Sequence, residues 1–335
     1  MATVIATDRI HPEAHTQLAQ AATFSIRPWR EGAGYADDLA DADVVVVRNR
    51  IPEELFERAP ALRAVIRHGV GLDMIPVEAA SARGVLVANV PAVNAVAVAE
   101  YVLGQMLALS RRFADMDRLM RTASWNESRL IADHGQQLGG KTVAIVGMGE
   151  IGRRVAAMCA AGFGMRVLGV HPTRTGTRET HAEYVPLHDA LAAADYLVLT
   201  CPLTPATKGM IGAAEFARMK PSAFLINVAR GAVVERTALH QALQSSQIAG
   251  AALDVFETQP LPAGDPLFDC PTARLTPHMA GISTQSLHAM SMGAAAQVID
   301  VLAGRLPPHW VNRDAEPAIR ARWAALGITP QTTSQ

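Results

Sequence analysis

The feature that most limits how this chain can fold is a glycine-rich segment, KTVAIVGMGEIG, at residues 141–152. Its β-branched apolar first half predicts a buried strand, and the residues that follow it predict a helix. Gly147, Gly149 and Gly152 have the spacing G-x-G-x-x-G, which permits a tight turn, close approach of a pyrophosphate and close packing of helix on strand. A second predicted strand at residues 165–170 follows, so the context favours dinucleotide binding over a glycine-rich packing turn.

The composition is that of a globular protein with a large core. A chain of 335 residues, half of them apolar and 18% charged, predicts about two domains. The formal net charge of −1 provides no basic excess for a nucleic acid or a membrane surface. The three cysteines show neither metal-ligand nor disulfide spacing, and the first residues show no apolar signal segment. These features predict a cytoplasmic protein.

Strand and helix patterns alternate along most of the chain, which predicts right-handed βαβ units and parallel, doubly wound α/β sheets. Long helices are expected at residues 94–112 and 285–303, and a short one at 53–59. Residues 118–140 and the tail beyond residue 307 are expected to be irregular. The predicted strands are residues 3–6, 44–47, 85–88, 143–146, 166–170, 196–200, 224–227, 250–254 and 274–276.

Polar and charged residues cluster at the ends of the later predicted strands. Because the carboxyl ends of parallel strands converge at one edge of a sheet, Arg230 and His278 are candidates for one site despite their separation along the chain. Taken alone, each of them is also compatible with a structural role. The segments concerned are CPLTPAT at 201–207, NVARG at 227–231, LDVFETQP at 253–260 and TPHMAG at 276–281.

These segments, together with RHGVGLD at 67–73, NVPAVNAVAVAE at 89–100 and the glycine-rich turn, resemble the D-2-hydroxyacid dehydrogenase family over nearly the whole chain. The resemblance implies a Rossmann cofactor domain at residues 98–289. This domain would be inserted into a discontinuous, flavodoxin-like substrate domain at residues 1–97 and 290–335. It also implies that the two long helices support a homodimer.

The resemblance implies that Arg230 binds the carboxylate and carbonyl of a 2-oxo acid and that His278 is the acid/base. Backbone amides near Val70 and Gly71 would bind the carboxylate as well, and Asp254 would hold the nicotinamide carboxamide. The chemistry agrees with these roles. An arginine fork matches a planar carboxylate, and a histidine can protonate the oxygen of the reduced ketone near neutral pH.

The remaining site expectations concern cofactor, substrate and metal. Arg48 and His68 are candidates for contact with the substrate side chain. His11 and His15 have a spacing that suits a metal ion, but they lack a third ligand, so a solvated first helical turn and no metal are expected. The residues expected to contact the cofactor are Gly147, Gly149, Glu150, Ile151, Gly152, His171, Thr173, Arg174, Cys201, Pro202, Thr207, Val228, Ala229, Asp254, His278 and Gly281.

One departure from the family pattern concerns the partner of the catalytic histidine. The family usually carries a glutamate just before the proline of the DVF segment, where this chain has Gln259. A carboxylate in contact favours the imidazolium by roughly 1–3 pKa units, whereas glutamine orients the ring without supplying charge. Either His278 works with a lower pKa, which we favour, or Glu257, two residues away, partly substitutes for the missing carboxylate.

A second departure concerns cofactor choice. The fingerprint expects an acidic residue about 20 residues on, to bind the ribose 2′-hydroxyl. Here His171 stands at the end of the second strand, followed by Pro172, Thr173 and Arg174. Because no carboxylate stands there to repel a 2′-phosphate and Arg174 would attract one, NADP(H) is expected to be used at least as well as NAD(H).

The sequence therefore predicts an oxidoreductase that transfers a hydride between NAD(P)H and a small 2-oxo acid, such as glyoxylate or hydroxypyruvate. Two alternatives remain. A formate- or phosphite-type dehydrogenase also resembles the chain at Gln259. A dinucleotide-sensing binding protein, like the corepressors of the same family, lacks a recognisable peptide-docking feature here, and the chain retains Arg230 and His278.

Overall fold

A computed structural model describes residues 1–30 and 34–329 and divides into two compact units. Unit 1 comprises Met1–Asn94 and Ser283–Gln335, and unit 2 comprises Ala95–Ile282. The strands are β1 Thr3–Ala6, β2 Thr23–Ile26, β3 Val44–Val47, β4 Ala64–Arg67, β5 Leu86–Ala88, β6 Thr142–Val146, β7 Arg166–Val170, β8 Arg178–Glu179, β9 Ala182–Tyr184, β10 Tyr196–Leu199, β11 Phe224–Asn227, β12 Gly250–Leu253 and β13 Ala273–Leu275.

The helices connect these strands, and short 3₁₀ turns at Gly231–Val233, Pro266–Asp269 and Arg313–Ala315 accompany them. The α-helices are α1 Pro12–Ala21, α2 Tyr35–Asp38, α3 Leu55–Arg58, α4 Val77–Ala82, α5 Ala95–Arg111, α6 Phe113–Thr122, α7 Trp125–Ala132, α8 Glu150–Ala157, α9 Leu187–Ala193, α10 Ala213–Phe216, α11 Arg236–Gln244, α12 Thr284–Leu302 and α13 Glu316–Ala325.

Unit 1 is built on a five-stranded parallel sheet of order β2-β1-β3-β4-β5, the flavodoxin-like order. Strand β3 is four consecutive valines with no exposed side chain, as expected for a strand covered by helices on both faces. On one face, Leu18 of α1 and Val298 of α12 belong to the same buried cluster. The two helices are therefore packed against each other over the sheet.

Unit 2 is built on an eight-stranded sheet of order β13-β12-β11-β10-β6-β7-β9-β8, in which only the β8–β9 pair is antiparallel. From β6 the sheet is extended in one direction by β7 and β9 and then in the opposite direction by β10, β11, β12 and β13. Ligands of open α/β sheets bind at the carboxyl ends of the strands beside such a switch in strand order. The loops after β6, β10, β11, β12 and β13 all open at that edge. The two parallel-sheet units confirm the predicted fold class.

Two segments differ from the sequence-based expectation. Residues 118–140 are largely helical, because α6 and α7 cover much of them, and α6 buries none of its side chains. The tail beyond residue 307 contains α13, whose Ile319 and Trp323 are fully buried. Both predictions of irregular structure were wrong. The helices α6 and α7 expose their large apolar side chains, and α13 buries only two residues, so neither segment has the apolar stripe that marks a helix in sequence. In the described part of the chain, no helix combines the length and apolarity needed to cross a bilayer.

Candidate active site

The glycine-rich turn after β6 is shaped by close contacts between backbone segments. Gly147 has φ +97°, and a Cβ there would lie 2.6 Å from the backbone N of Cys201. A Cβ on Gly152 would lie 2.2 Å from the carbonyl oxygen of Gly147, so both positions require glycine for packing. A Cβ on Gly149 would meet no atom within 4 Å. Glycine at 149 is therefore explained by room for a ligand rather than by packing.

Helix α8 begins directly after this turn, with Gly149 as its N-cap and Glu150 and Ile151 in its first turn. The hydroxyl of Thr200 donates to the carbonyl oxygen of Gly147 at 2.6 Å and holds the turn against the end of β10. Amide groups of a helix N-terminus, next to an open glycine, suit the pyrophosphate of a dinucleotide. The residues present therefore fit the cofactor that the sequence predicts.

The segment after β7 lies where the adenosine ribose of such a cofactor is bound in Rossmann folds. Nδ1 of His171 accepts a 3.3 Å hydrogen bond from the amide of Thr173. Arg174 donates to the carboxylate of Glu179, and its guanidinium lies 5.7 Å from the ring centre of Tyr184. Sequence reasoning missed Glu179, because this carboxylate comes from β8 rather than from the end of β7. Arg174 is thus already paired with an acidic group.

The loop after β10 is packed and internally bonded. Cys201 is 7% exposed, and burial raises the pKa of its thiol, which disfavours a reactive thiolate. The Thr207 hydroxyl donates to the carbonyl oxygen of Pro202 at 2.7 Å and accepts from the amide of Thr204 at 2.8 Å. Cys201 therefore lies beneath the glycine-rich turn as a packing residue, and Thr207 holds the shape of the loop.

The loop after β11 carries Arg230 and is braced by Asn227, which is 1% exposed. The Asn227 side chain accepts from the amide of Ala229 at 3.0 Å and donates to the carbonyl oxygen of Arg230 at 3.1 Å. Arg230 itself donates from Nη1 to the carbonyl oxygen of Ala229 at 2.7 Å. The predictions for this loop named Val228, Ala229 and Arg230 but not Asn227. The sequence feature that could have identified Asn227 is an asparagine at the end of an apolar predicted strand.

The loops after β11 and β12 touch through a glycine. A Cβ on Gly231 would lie 2.0 Å from the carbonyl carbon of Phe256, so only glycine permits this approach. The carbonyl oxygen of Phe256 in turn accepts a 3.2 Å hydrogen bond from the side-chain amide of Gln259. Arg230 therefore belongs to a loop that packs directly against the segment bearing Gln259.

The loop after β13 holds His278 in a left-handed backbone conformation, with φ +54°. The backbone amide of His278 donates to the carbonyl oxygen of Asp254 at 2.9 Å. The Asp254 carboxylate, 1% exposed, accepts 2.8 Å hydrogen bonds from the amides of Met279 and Ala280. A non-glycine residue with a left-handed backbone conformation is strained, and such a conformation persists only where surrounding contacts fix it. Asp254 supplies those contacts and so positions the histidine.

A hydroxyl pair extends this network. The Thr276 hydroxyl donates to the Asp254 carboxylate at 2.7 Å and lies 2.5 Å from the Tyr101 hydroxyl. Since the single proton of Thr276 points to Asp254, Tyr101 is the donor to Thr276. Burial raises the pKa of Tyr101 to about 12, so the phenol keeps that proton at neutral pH. Helix α5 thereby braces the His278 loop through Tyr101, a contact that the sequence did not suggest.

The ring of His278 faces Gln259. Nδ1 of His278 lies 2.9 Å from Oε1 of Gln259, and the Gln259 nitrogen is occupied by Phe256 as described above. The side-chain oxygen therefore accepts, and Nδ1 of the imidazole carries a proton. Any proton exchange by this ring would then involve Nε2. The Gln259 side chain fixes the orientation of the ring.

In unit 1, the loop after β4 contains Val70 and Gly71. The carbonyl oxygen of Val70 accepts from Asn89 at 2.8 Å, and that of Gly71 accepts from Arg67 at 3.0 Å. Among the described residues, the amides of Val70 and Gly71 donate no hydrogen bond. Loop carbonyls held by the protein, with amides left to donate, suit an anionic ligand.

Arg48 follows β3 and His68 follows β4, so both lie at the carboxyl ends of neighbouring parallel strands of unit 1. Arg48 donates from its guanidinium to the carbonyl oxygen of Arg9. His68 is 3% exposed, and its Nε2 lies 2.8 Å from the hydroxyl of Ser291. Burial, helped by Arg48 and Arg67, lowers the pKa of His68 to about 3. A buried neutral ring bound to a serine has a structural role, so direct contact of His68 with a substrate remains only a prediction.

Comparison with known proteins identifies the chain. A sequence model of the D-isomer specific 2-hydroxyacid dehydrogenase NAD binding domain matches residues 103–280, more than half of the chain. The chain belongs to the D-isomer specific 2-hydroxyacid dehydrogenase family. This confirms the resemblance and with it the prediction of an NAD(P)-dependent oxidoreductase. It does not distinguish NAD from NADP.

Individual relatives agree with this assignment. The chain is 40% identical over 281 residues to the glyoxylate reductase of Korarchaeum cryptofilum, covering 82% of this chain and 83% of that protein. It is similar to the NADPH-dependent glyoxylate/hydroxypyruvate reductase of Sinorhizobium meliloti solved with citrate, with TM-score 0.80, 29% identity and coverage of 95% and 99%. It also resembles the NAD-dependent formate dehydrogenase of Staphylococcus aureus solved with NAD, with TM-score 0.79, 27% identity and coverage of 90% and 95%.

Proposed function

We propose that this protein reduces small 2-oxo acids of the glyoxylate or hydroxypyruvate type with NAD(P)H, and runs reversibly as a D-2-hydroxyacid dehydrogenase. The observation that carries the proposal is the fixed ring of His278. Its Nδ1 donates to Gln259, which lies on a segment packed against the Arg230 loop. An oriented imidazole beside an arginine loop, at the sheet edge where ligands bind, is the arrangement that ketone reduction requires.

When bound at this site, a reduced nicotinamide cofactor would supply the hydride that the carbonyl carbon of the substrate accepts. Arg230 binds the substrate carboxylate and the carbonyl oxygen and polarises the ketone. His278, protonated on both ring nitrogens, donates the Nε2 proton to the oxygen as negative charge develops there. The ring is left neutral with its proton on Nδ1, where Gln259 holds it, and solvent restores the proton on Nε2. One hydride and one proton convert the 2-oxo acid to the hydroxy acid.

We propose that the amides of Val70 and Gly71 also donate to the substrate carboxylate. The carbonyl groups of Gly69 and Val70 belong to the same peptide units as these two amides. They accept hydrogen bonds from the amide of Val90 at 2.9 Å and from the side chain of Asn89 at 2.8 Å, which fixes the orientation of both units. Asp254, through its contacts to the His278 loop, acts as a positioning residue, and we propose that it also holds the nicotinamide carboxamide.

For the cofactor, we propose that NADP(H) is used at least as well as NAD(H). His171 stands in place of the acidic residue at the end of β7, and Arg174 follows within reach of the same edge. Glu179 opposes this preference, because it pairs with Arg174 and lies 3.8 Å from Arg153. A 2′-phosphate that displaced Glu179 would meet two guanidinium groups.

We propose a homodimer, with α6 and α7 forming part of the contact. These helices present large apolar side chains to solvent, and Trp125 and Leu130 are 66% and 65% exposed. Exposed apolar groups clustered on one helix pair are typical of a surface that a partner covers. Cys159, Cys201 and Cys270 are all free thiols and buried, which suits a reducing compartment, and we place the enzyme in the cytosol.

A second candidate function is oxidation of a small anion such as formate or phosphite. One observation favours it: the partner of His278 is an amide rather than a carboxylate. Transfer of a hydride from formate requires no proton shuttle at the histidine, so a neutral partner suffices. The Arg230 loop serves either function, because both substrates are anions.

A substrate panel separates these functions. The protein is mixed with NADPH or NADH and glyoxylate, hydroxypyruvate or pyruvate, and then with NADP⁺ or NAD⁺ and formate or phosphite, while nicotinamide absorbance is followed. Oxidation of reduced cofactor by 2-oxo acids supports the first proposal. Turnover with formate or phosphite alone supports the second. Tight cofactor binding without turnover of any substrate points to a dinucleotide sensor and contradicts both.

A further inference from the structure

A cluster of metal-ligating side chains lies in unit 1, formed by His11, Glu13 and His288. One ring nitrogen of each histidine and one oxygen of the carboxylate lie within 4.8 Å of one another. His11 and Glu13 belong to the start of α1, and His288 to the second turn of α12. The sequence pattern paired His11 with His15, but the ring of His15 packs on Phe24 with centroids 4.9 Å apart. The third ligand instead comes from a distant part of the chain.

Buried apolar packing and a hydrogen bond hold together the two helices that carry these ligands. Leu18 of α1 and Val298 of α12 share one buried cluster, so the helices are packed together within the unit. The amide of His11 donates to the hydroxyl of Ser291 at 3.0 Å, and Ser291 follows His288 by three residues on the same face of α12. The His11 and His288 rings meet edge to face with centroids 4.5 Å apart. The ligands are therefore preorganised.

The protonation pattern of the cluster also suits a cation. Nδ1 of His11 accepts a long hydrogen bond, 3.3 Å, from the amide of Glu13, so its lone pair carries no proton, and a metal ion bound at this nitrogen would take the place of that hydrogen bond. Nε2 of His288 shares a proton with the Glu13 carboxylate at 2.9 Å. A metal ion that replaced this proton would bind an imidazole and a carboxylate at once. Glu13 supplies one negative charge to offset the charge of the ion.

We propose that His11, Glu13 and His288 form a binding site for a divalent transition-metal ion of the zinc type, which clamps α1 to α12. Two imidazoles and a carboxylate are the ligand types that such ions prefer, at about 2.0–2.2 Å from the metal, with water completing the shell. The three side chains are partly exposed, so small rotations bring their ligand atoms to these distances. The site is independent of the active-site proposal.

Titration calorimetry with ZnCl₂, on the full-length protein freed of metal with a chelator, tests the proposal. We expect one saturable Zn²⁺ per chain and a higher Tm in its presence, because a ligand that binds the folded state stabilises it. His288→Gln and His11→Gln should each weaken Zn²⁺ binding by about 10-fold or more and remove most of the Tm increase. Glu13→Gln tests the third ligand with minimal change of size.

His309→Gln is the matched control, because His309 is an exposed histidine of the same unit outside the cluster. Its Zn²⁺ affinity should equal that of the unmodified protein. Co²⁺ provides a spectroscopic check, since its visible absorption bands should appear in the unmodified protein and be lost in His288→Gln. Absence of saturable Zn²⁺ binding would overturn the proposal. So would binding that is unchanged in both His11→Gln and His288→Gln, because the ion would then lie elsewhere.

Discussion

Nδ1 of His278 lies 2.9 Å from the side-chain oxygen of Gln259. The Gln259 nitrogen donates to the carbonyl oxygen of Phe256, so the amide cannot turn over without losing that bond. The oxygen accepts from the neutral imidazole and from the imidazolium alike. Gln259 therefore sets the orientation and the tautomer of His278 without adding the negative charge that would favour its protonated form.

Gln259→Glu should extend 2-oxo acid reduction toward higher pH. A carboxylate at this distance raises the pKa of an imidazole by roughly 1–3 units, and reduction requires the protonated ring. The alkaline limb of the kcat/KM profile for glyoxylate should shift upward by about 1 unit or more. Glu257→Gln is the control and should leave the profile unchanged. An unchanged profile in Gln259→Glu would contradict the pairing of the two side chains.

Arg230→Lys should impair reduction although the positive charge remains. Lysine lacks the planar fork that binds a carboxylate in a bidentate way, and a lost charge-assisted hydrogen bond lowers kcat/KM for glyoxylate by about 10–100-fold. Affinity for the reduced cofactor, measured by fluorescence titration, should change little. Activity within a factor of two of the unmodified enzyme would remove Arg230 from the substrate site.

Glu179→Gln should shift cofactor preference toward NADPH. The change releases Arg174 from its carboxylate partner. Pairs this exposed are weak, so we expect the ratio of kcat/KM for NADPH over NADH to rise by about 2–5-fold. Glu183→Gln is the control, because Glu183 pairs with Arg166 at 3.1 Å rather than with Arg174. A ratio that does not change, or that falls, would show that Arg174 does not contact the 2′-phosphate.

Thr276→Val should disturb the His278 loop without changing its volume. The hydroxyl of Thr276 joins Tyr101 to Asp254, so its removal leaves a half-buried phenol and a buried carboxylate each short of one partner. We expect a loss of about 1–3 kcal/mol in unfolding free energy and a lower kcat with little change in KM. Thr276→Ser should restore kcat. Equal stability and kcat in the valine variant would contradict the bracing role.

His68 should make unit 1 sensitive to acid. Its pKa falls from 6.5 to about 3 on burial, so between these values the unfolded chain binds a proton that the folded state does not. His68 therefore leaves the free energy of unfolding undiminished above pH 6.5 and lowers it progressively as the pH falls toward 3. In urea unfolding, the drop between neutral pH and about pH 5 should be about 2 kcal/mol smaller in His68→Gln. It should be unchanged in His309→Gln. Equal drops in all three proteins would exclude this role.

Much of the fold followed from local sequence. The four valines of β3 and the apolar residues at 143–146 before Gly147 are buried, and their apolar character identifies them directly. Strands β2, β4, β8 and β9 were missed. Strand β2 is only partly buried and β8 is two exposed residues, whereas the buried run of β4 was not recognised although it is apolar. Helices α6 and α7 were missed because their large apolar side chains face outward, so no buried stripe marks them.

In the site, residue types and strand-end positions predicted Arg230 and His278, and the family resemblance pointed to Gln259. The residues that hold them were not visible, since Asn227, Tyr101 and Thr276 act through contacts made only after folding. Glu179 was missed for a different reason: it lies on β8, a two-residue strand that the sequence did not reveal. Contacts between segments that are distant along the chain cannot be predicted from the pattern of a single sequence.

In the proposed reaction, the Arg230 guanidinium and the His278 imidazole act on the same 2-oxo acid. A crystal structure of the protein with NADPH and oxamate, an unreactive analogue of such an acid, shows whether they do. We expect Arg230 to donate to the oxamate carboxylate and Nε2 of His278 to lie within hydrogen-bond distance of the carbonyl oxygen next to it. An oxamate bound over the nicotinamide without contact to either side chain would contradict this proposal.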